Sequence, residues 1–75
     1  MGSKFPVLSA REIVSALHKA GFEDVSQRGS HKKLKNNSEP PRTIIVPMHD
    51  EVARGTLRSI LEQADIDLET FLNLL

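Results

Sequence analysis

Seventy-five residues, 39% of them hydrophobic and 27% charged, suit one small folded domain and leave no room for a second core. The absence of Cys excludes disulfide staples, thiolate zinc sites and a cysteine nucleophile, and no apolar run reaches the roughly 18 residues that a membrane span requires. The formal net charge of zero hides an asymmetry, because residues 1–35 carry seven Lys/Arg against three Asp/Glu (+4) and residues 36–75 carry three against seven (−4).

Residues 1–8 read as an N-terminal tail to a single domain spanning 1–75. Met1-Gly2 opens like a myristoylation signal, but Pro6 stands where that signal needs Ser or Thr. No secretory core is visible, and a chain without Cys has no need of an oxidising compartment, so the expected location is the cytoplasm. Ser9 and Glu12 form the S-x-x-E pattern of a capping box at a helix start. Ile13, Val14 and Leu17 line one face of that helix, extended by Ala10 and Ala20. Gly21 ends it, since glycine takes the left-handed conformation freely, and Phe22 follows in position to pack back on the end. Val25 to Arg28 read as a short strand, and Gly29-Ser30 as a turn, a bulge or a point of close backbone approach. His31 to Lys35 form a second strand. Residues 36–41 are a loop in which Pro40 and Pro41 deny pairing. Thr43 to Val46 are β-branched throughout and form a third strand, ended by Pro47. Leu57, Ile60, Leu61 and Ala64 define a second helix, and Asp67 caps a final short segment with Leu68, Phe71, Leu72 and Leu75. The order α-β-β-β-α with a short C-terminal helix predicts an α+β two-layer domain that resembles the double-stranded-RNA-binding fold.

Alternation along the second strand bears on function. If Leu34 faces the helices, then Ser30 and Lys32 nominally turn the same way, and His31, Lys33 and Lys35 share the open face. An imidazole beside two ammonium groups on an uncovered sheet suits a phosphate. Arg28 and Lys32 extend the basic cluster, and Gly29 and Ser30 stand at its edge. His18 follows core-facing Leu17 and reads as a boundary residue. His49 sits in a loop after Pro47 and is either a structural residue or an auxiliary acid–base group. Arg54 and Arg58 either touch RNA or pair with Glu51 and Glu62.

A metal site from His31, His49 and Asp50 lacks ligand-pair spacing, and the adjacent lysines repel a divalent cation, so no metal and no cofactor are expected. A Ser30-His31 hydrolase is disfavoured because strand neighbours point apart. RNA cleavage fits better. RNA supplies its own nucleophile, the 2′-hydroxyl. The protein must then supply proton transfer, which an imidazole does near neutrality, and cations for the developing phosphorane charge. The lack of Tyr and Trp argues against base-stacking platforms.

These residues resemble the HicA toxin family, also described as YcfA-like mRNA interferases, from about Ser9 to Leu74. The likeness rests on Gly21-Phe22, on Gly29-Ser30-His31, on Val46-Pro47-Met48-His49, and on Gly55-Thr56-Leu57-Arg58-Ser59-Ile60-Leu61 followed by Glu62-Gln63-Ala64-Asp65-Ile66. Asp65 stands where the family usually has Gly, and Lys32 where many members have a second histidine or an apolar residue. The resemblance implies a small ribosome-independent endoribonuclease that cuts mRNA and arrests translation. It maps the catalytic histidine to His31 and implies a HicB-type antitoxin that covers the active site; no membrane association and no direct DNA binding by the toxin alone are expected.

Other readings compete. A non-catalytic double-stranded-RNA-binding module predicts salt-sensitive binding without cleavage, although the second helix lacks a lysine cluster at its start. A helix-turn-helix DNA binder from Gly55 to Leu75 would place Asp65, Asp67 and Glu69 against DNA phosphates. An interaction module with no nucleic acid is the third.

Overall fold

The computed structural model describes residues 5–75, so Met1-Gly2 and the first half of the expected tail lie outside the described residues. The first helix, α1 (Ala10–Lys19), starts at the expected capping box: the Glu12 amide donates to Ser9 Oγ at 3.2 Å and the Ser9 amide donates to Glu12 Oε1 at 2.9 Å. Ala10, Ile13, Val14, Ala16 and Leu17 form its buried stripe. Past its end Gly21 takes φ +98°, and buried Phe22 returns its amide to the Leu17 carbonyl at 3.0 Å. This is the glycine stop with its apolar latch.

Three antiparallel strands follow in spatial order β1-β2-β3: β1 (Glu23–Arg28), β2 (His31–Lys35) and β3 (Thr43–Pro47). Leu34 of β2 and Ile44 and Val46 of β3 are fully buried, and they fix which face meets the helices. β1 buries no side chain along its length. Its inward positions carry Asp24 and Gln27, opposite Leu34 and Lys32, so β1 overhangs the helix layer instead of roofing the core. The ladder between β1 and β2 is broken by a bulge between Asp24 and Ser26, which leaves Val25 as the extra residue. The irregularity falls there and not at Gly29. Arg28 pairs directly with His31, and Gly29-Ser30 close a two-residue hairpin.

The second helix, α2 (Arg54–Ala64), buries Leu57, Ile60, Leu61 and Ala64, the spacing read from the sequence. Asp65 ends it at φ 59°, ψ 43°, and Ile66 donates back to the Leu61 carbonyl at 3.1 Å. A left-handed residue is what this stop requires, and Asp supplies it at a strain that glycine lacks. α3 (Leu68–Leu72) starts at Asp67, whose Oδ1 accepts from the Thr70 amide at 2.7 Å. That backbone hydrogen bond holds the Asp67 carboxyl below its ordinary value. Phe71 of α3 is fully buried and closes the core beneath α1 and α2.

Residues 5–8, read from the sequence as part of a tail, are pinned. Leu8 forms an isolated antiparallel bridge with Val52, whose amide donates to the Leu8 carbonyl at 2.8 Å. Phe5 and Leu8 pack on the core, and Arg54 Nε donates to the Phe5 carbonyl at 2.7 Å. Among the described residues no helix is long and apolar enough to cross a membrane.

Candidate active site on the open sheet face

The site is built by one strand and its two neighbours. On β2, Leu34 is buried while His31, Lys33 and Lys35 are exposed, so the period-two alternation turns these three to the side away from the helices. The pairing register supplies their surroundings. His31 lies between Arg28 of β1 and Pro47 of β3, Lys33 between Ser26 and Ile45, and Lys35 between Glu23 and Thr43. Directly paired residues share a face, so Arg28, His31, Lys33 and Lys35 form one basic surface. Neither Arg28, Lys33 nor Lys35 forms an ion pair with a described residue. Their charges are left to solvent or to a ligand.

The hairpin end of this surface is tightly held. Gly29 has φ +60° and Ser30 does not have positive φ, the sign pattern of a type II′ turn with glycine in the first central place. A Cβ at Gly29 would meet nothing within 4 Å, so the glycine is required by the backbone and not by packing. The Ser30 carbonyl accepts from the Met48 amide at 2.6 Å, which ties the segment after β3 to the turn. His49 follows at once. Its carbonyl accepts from the Ala10 amide at 3.0 Å at the start of α1, and its own amide donates to the Pro47 carbonyl at 2.9 Å. The backbone of His49 therefore joins β3 to α1, while the residue stays exposed at the same end of the sheet as His31.

Lys32 is placed differently from its neighbours. Its side chain is only 20% exposed, lies on the helix side, and reaches Asp24 Oδ2 at 3.1 Å. Asp24 Oδ1 also accepts from His18 Nε2 at 2.8 Å. The His18 hydrogen bond, then that of Lys32, holds the Asp24 carboxyl below its ordinary range. His18, Asp24 and Lys32 thus clasp the end of α1 to the overhanging strand. Of the basic cluster read from the sequence, Arg28, Lys33 and Lys35 share the face of His31, Gly29 and Ser30 bound it, and Lys32 does not join it.

Arg58 pairs with Glu62 at 3.4 Å one turn along α2, and Arg54 is held by the Phe5 carbonyl instead of by Glu51. Both belong to the helix layer. A groove between α2 and α3, floored by Phe5, Leu61, Ile66 and Leu68, also belongs to that layer. Among the described residues no cluster of three or more His, Asp or Glu is arranged to hold a metal ion.

Sequence reasoning missed three members of the open face. Ile45 is 40% exposed and pairs with Lys33, whereas its β-branched run suggested a strand and no facing for this residue. Val25 is 52% exposed at the bulge. Glu23 lies opposite Lys35 and tempers the positive surface there. Alternation from Ile44 and Val46 was the available signal for Ile45. Nothing local marked the register that brings Glu23 to Lys35.

Such a surface can hold the phosphates of an extended polymer on its cations while an exposed imidazole exchanges protons beside them. Comparison with known proteins bears on this reading. The family model described as HicA toxin of bacterial toxin-antitoxin matches residues 10–66, from the first residue of α1 to the residue after the Asp65 stop. No curated protein matches the chain.

Proposed function

The chain belongs to the HicA toxin family and is the toxin of a toxin–antitoxin system with a cognate antitoxin, and we propose that it acts as an endoribonuclease on mRNA through His31. The observation that carries this reading is the shared face of β2: an exposed imidazole in register with Arg28 and followed by Lys33 and Lys35, none of the three cations being paired within the described residues.

The chemistry follows from what the face offers. The 2′-hydroxyl oxygen attacks the adjacent phosphorus, forming the O2′–P bond, while the P–O5′ bond breaks. The proton of the hydroxyl passes to an imidazole, and the departing 5′ oxygen receives a proton. The products are a 2′,3′-cyclic phosphate and a 5′-hydroxyl, with atoms and charge balanced and no metal in any step. His31 serves this proton transfer, and His49, exposed at the same end of the sheet, is the auxiliary acid–base candidate. General acid–base help of this kind contributes about 10²–10⁴ in rate. Arg28 stabilises the phosphorane charge, and Lys33 and Lys35 hold the backbone on either phosphate beyond it. Gly29 and Ser30 shape the edge past which RNA enters. Lys32 acts indirectly, through its ion pair with Asp24. The cognate antitoxin, of the HicB type, covers this face, and the toxin works in the cytoplasm on RNA and not on DNA.

The test compares wild type with His31→Ala. Wild-type protein is expected to cut single-stranded RNA equally with and without EDTA and to arrest growth when expressed without antitoxin. His31→Ala should fold, bind RNA and cut none. A wild-type protein that cuts no RNA under either condition overturns the proposal, and binding without cleavage would favour the non-catalytic RNA-binding alternative.

A further inference from the structure

We propose that β2 is a one-sided track for single-stranded RNA. The scissile phosphate lies at His31 and Arg28, the next two phosphates on one side lie at Lys33 and Lys35, and β2 offers no matching cations on the other side, where it ends at the hairpin. The inference rests on the nuclease reading of the same face and adds which phosphates beside the cut that face holds.

Three observations support it. The first is spacing. His31, Lys33 and Lys35 stand at every second residue of a strand, so their side chains emerge about 6.8 Å apart along a straight line. An extended polynucleotide backbone presents its phosphates in a line at a comparable interval. The second is charge. β2 begins at His31, so the exposed cations at two-residue spacing, Lys33 and Lys35, lie on one side of the imidazole only. The positive potential along β2 therefore attracts phosphates on that one side of His31. The third is the exposed apolar side chain of Ile45, paired with Lys33. It offers contact to the face of a base, and only unpaired bases present their faces. The chemistry agrees: the 2′-hydroxyl must align opposite the leaving oxygen, an arrangement the regular backbone of an RNA duplex does not adopt.

Glu23, paired with Lys35, sets the relative strength of the two outer positions. Lys33 has Ser26 and Ile45 as its cross-strand neighbours and keeps its full charge effect. The first outer phosphate should therefore matter more than the second, and removing the Glu23 charge should strengthen the second.

The experiment uses the full chain and a short RNA with one cleavable step. Single phosphates are replaced in turn by neutral methylphosphonates. Cleavage is measured with the all-ribose set, and binding with a set carrying a 2′-deoxy sugar at the cleavage step. Neutralising the first or second phosphate on one side should lower kcat/KM and binding by about tenfold each. Neutralisation on the other side should change them less than twofold. The loss at the first position should vanish in Lys33→Ala, and Glu23→Gln should enlarge the loss at the second. Equal losses on both sides, or duplex RNA cut as fast as single strands, overturn the track while leaving the nuclease reading intact. One-sided losses in binding with no cleavage of any RNA keep the track and sink the nuclease reading. Absence of binding sinks both.

Discussion

The position of the candidate site depends on which face of β2 is inward, and Leu34→Ala tests that directly. Leu34 is fully buried in the central strand, paired with Asp24 on one side and Ile44 on the other. Removing its three outer carbons leaves a cavity between sheet and helices, and a buried Leu→Ala costs about 2–5 kcal/mol. A domain of this length has a total stability of about 4–11 kcal/mol, so a loss near 3 kcal/mol takes a large share of it. At about 4–8 °C per kcal/mol, Tm should fall by about 12–24 °C. The exposed neighbour Lys33→Ala should change stability by no more than about 0.5 kcal/mol. Thermal melts followed by circular dichroism measure both. A one-residue change of facing would invert the pair, because it carries every side chain of the strand to the other face. If Lys33→Ala melts far below wild type while Leu34→Ala does not, then His31, Lys33 and Lys35 point into the core and the proposed site cannot exist.

Two further predictions concern the clasp and the helix stop. Asp24 is held below its ordinary pKa of 3.8 by His18 and Lys32, so its contribution to stability is complete above that value and is lost as pH falls through the lower folded-state value. Asp24→Asn should therefore lower Tm at neutral pH, and the gap to wild type should close in acid; a gap that stays constant down to strongly acid pH would refute the assignment. A residual acid dependence should survive in that variant, because Asp67 is shifted in the same direction. At Asp65, with φ 59°, a β-branched residue is strained where glycine is not, so Asp65→Val should be less stable than Asp65→Gly by about 1–2 kcal/mol, measured by urea unfolding. Equal stabilities would mean that α2 does not end in the left-handed conformation.

Much of this protein is written locally in its chain. The capping box at Ser9 and Glu12, the glycine stop at Gly21, the β-branched run from Thr43 to Val46 and the apolar spacing of α2 each fix a segment through backbone sterics and side-chain period, which act over a few residues. The facing of His31, Lys33 and Lys35 followed as well, since Leu34 is the only apolar residue in β2. The family match runs through these same segments, from Ala10 to Ile66. Tertiary structure decided the rest. It put the bulge at Val25, tied Phe5 and Leu8 onto the core, withdrew Lys32 to Asp24, and set Arg28, Ile45 and Glu23 beside the three β2 residues. These outcomes depend on cross-strand register and on how far the helix layer reaches under β1. Both arise from contacts between residues far apart in the chain, so no short stretch of sequence specifies them.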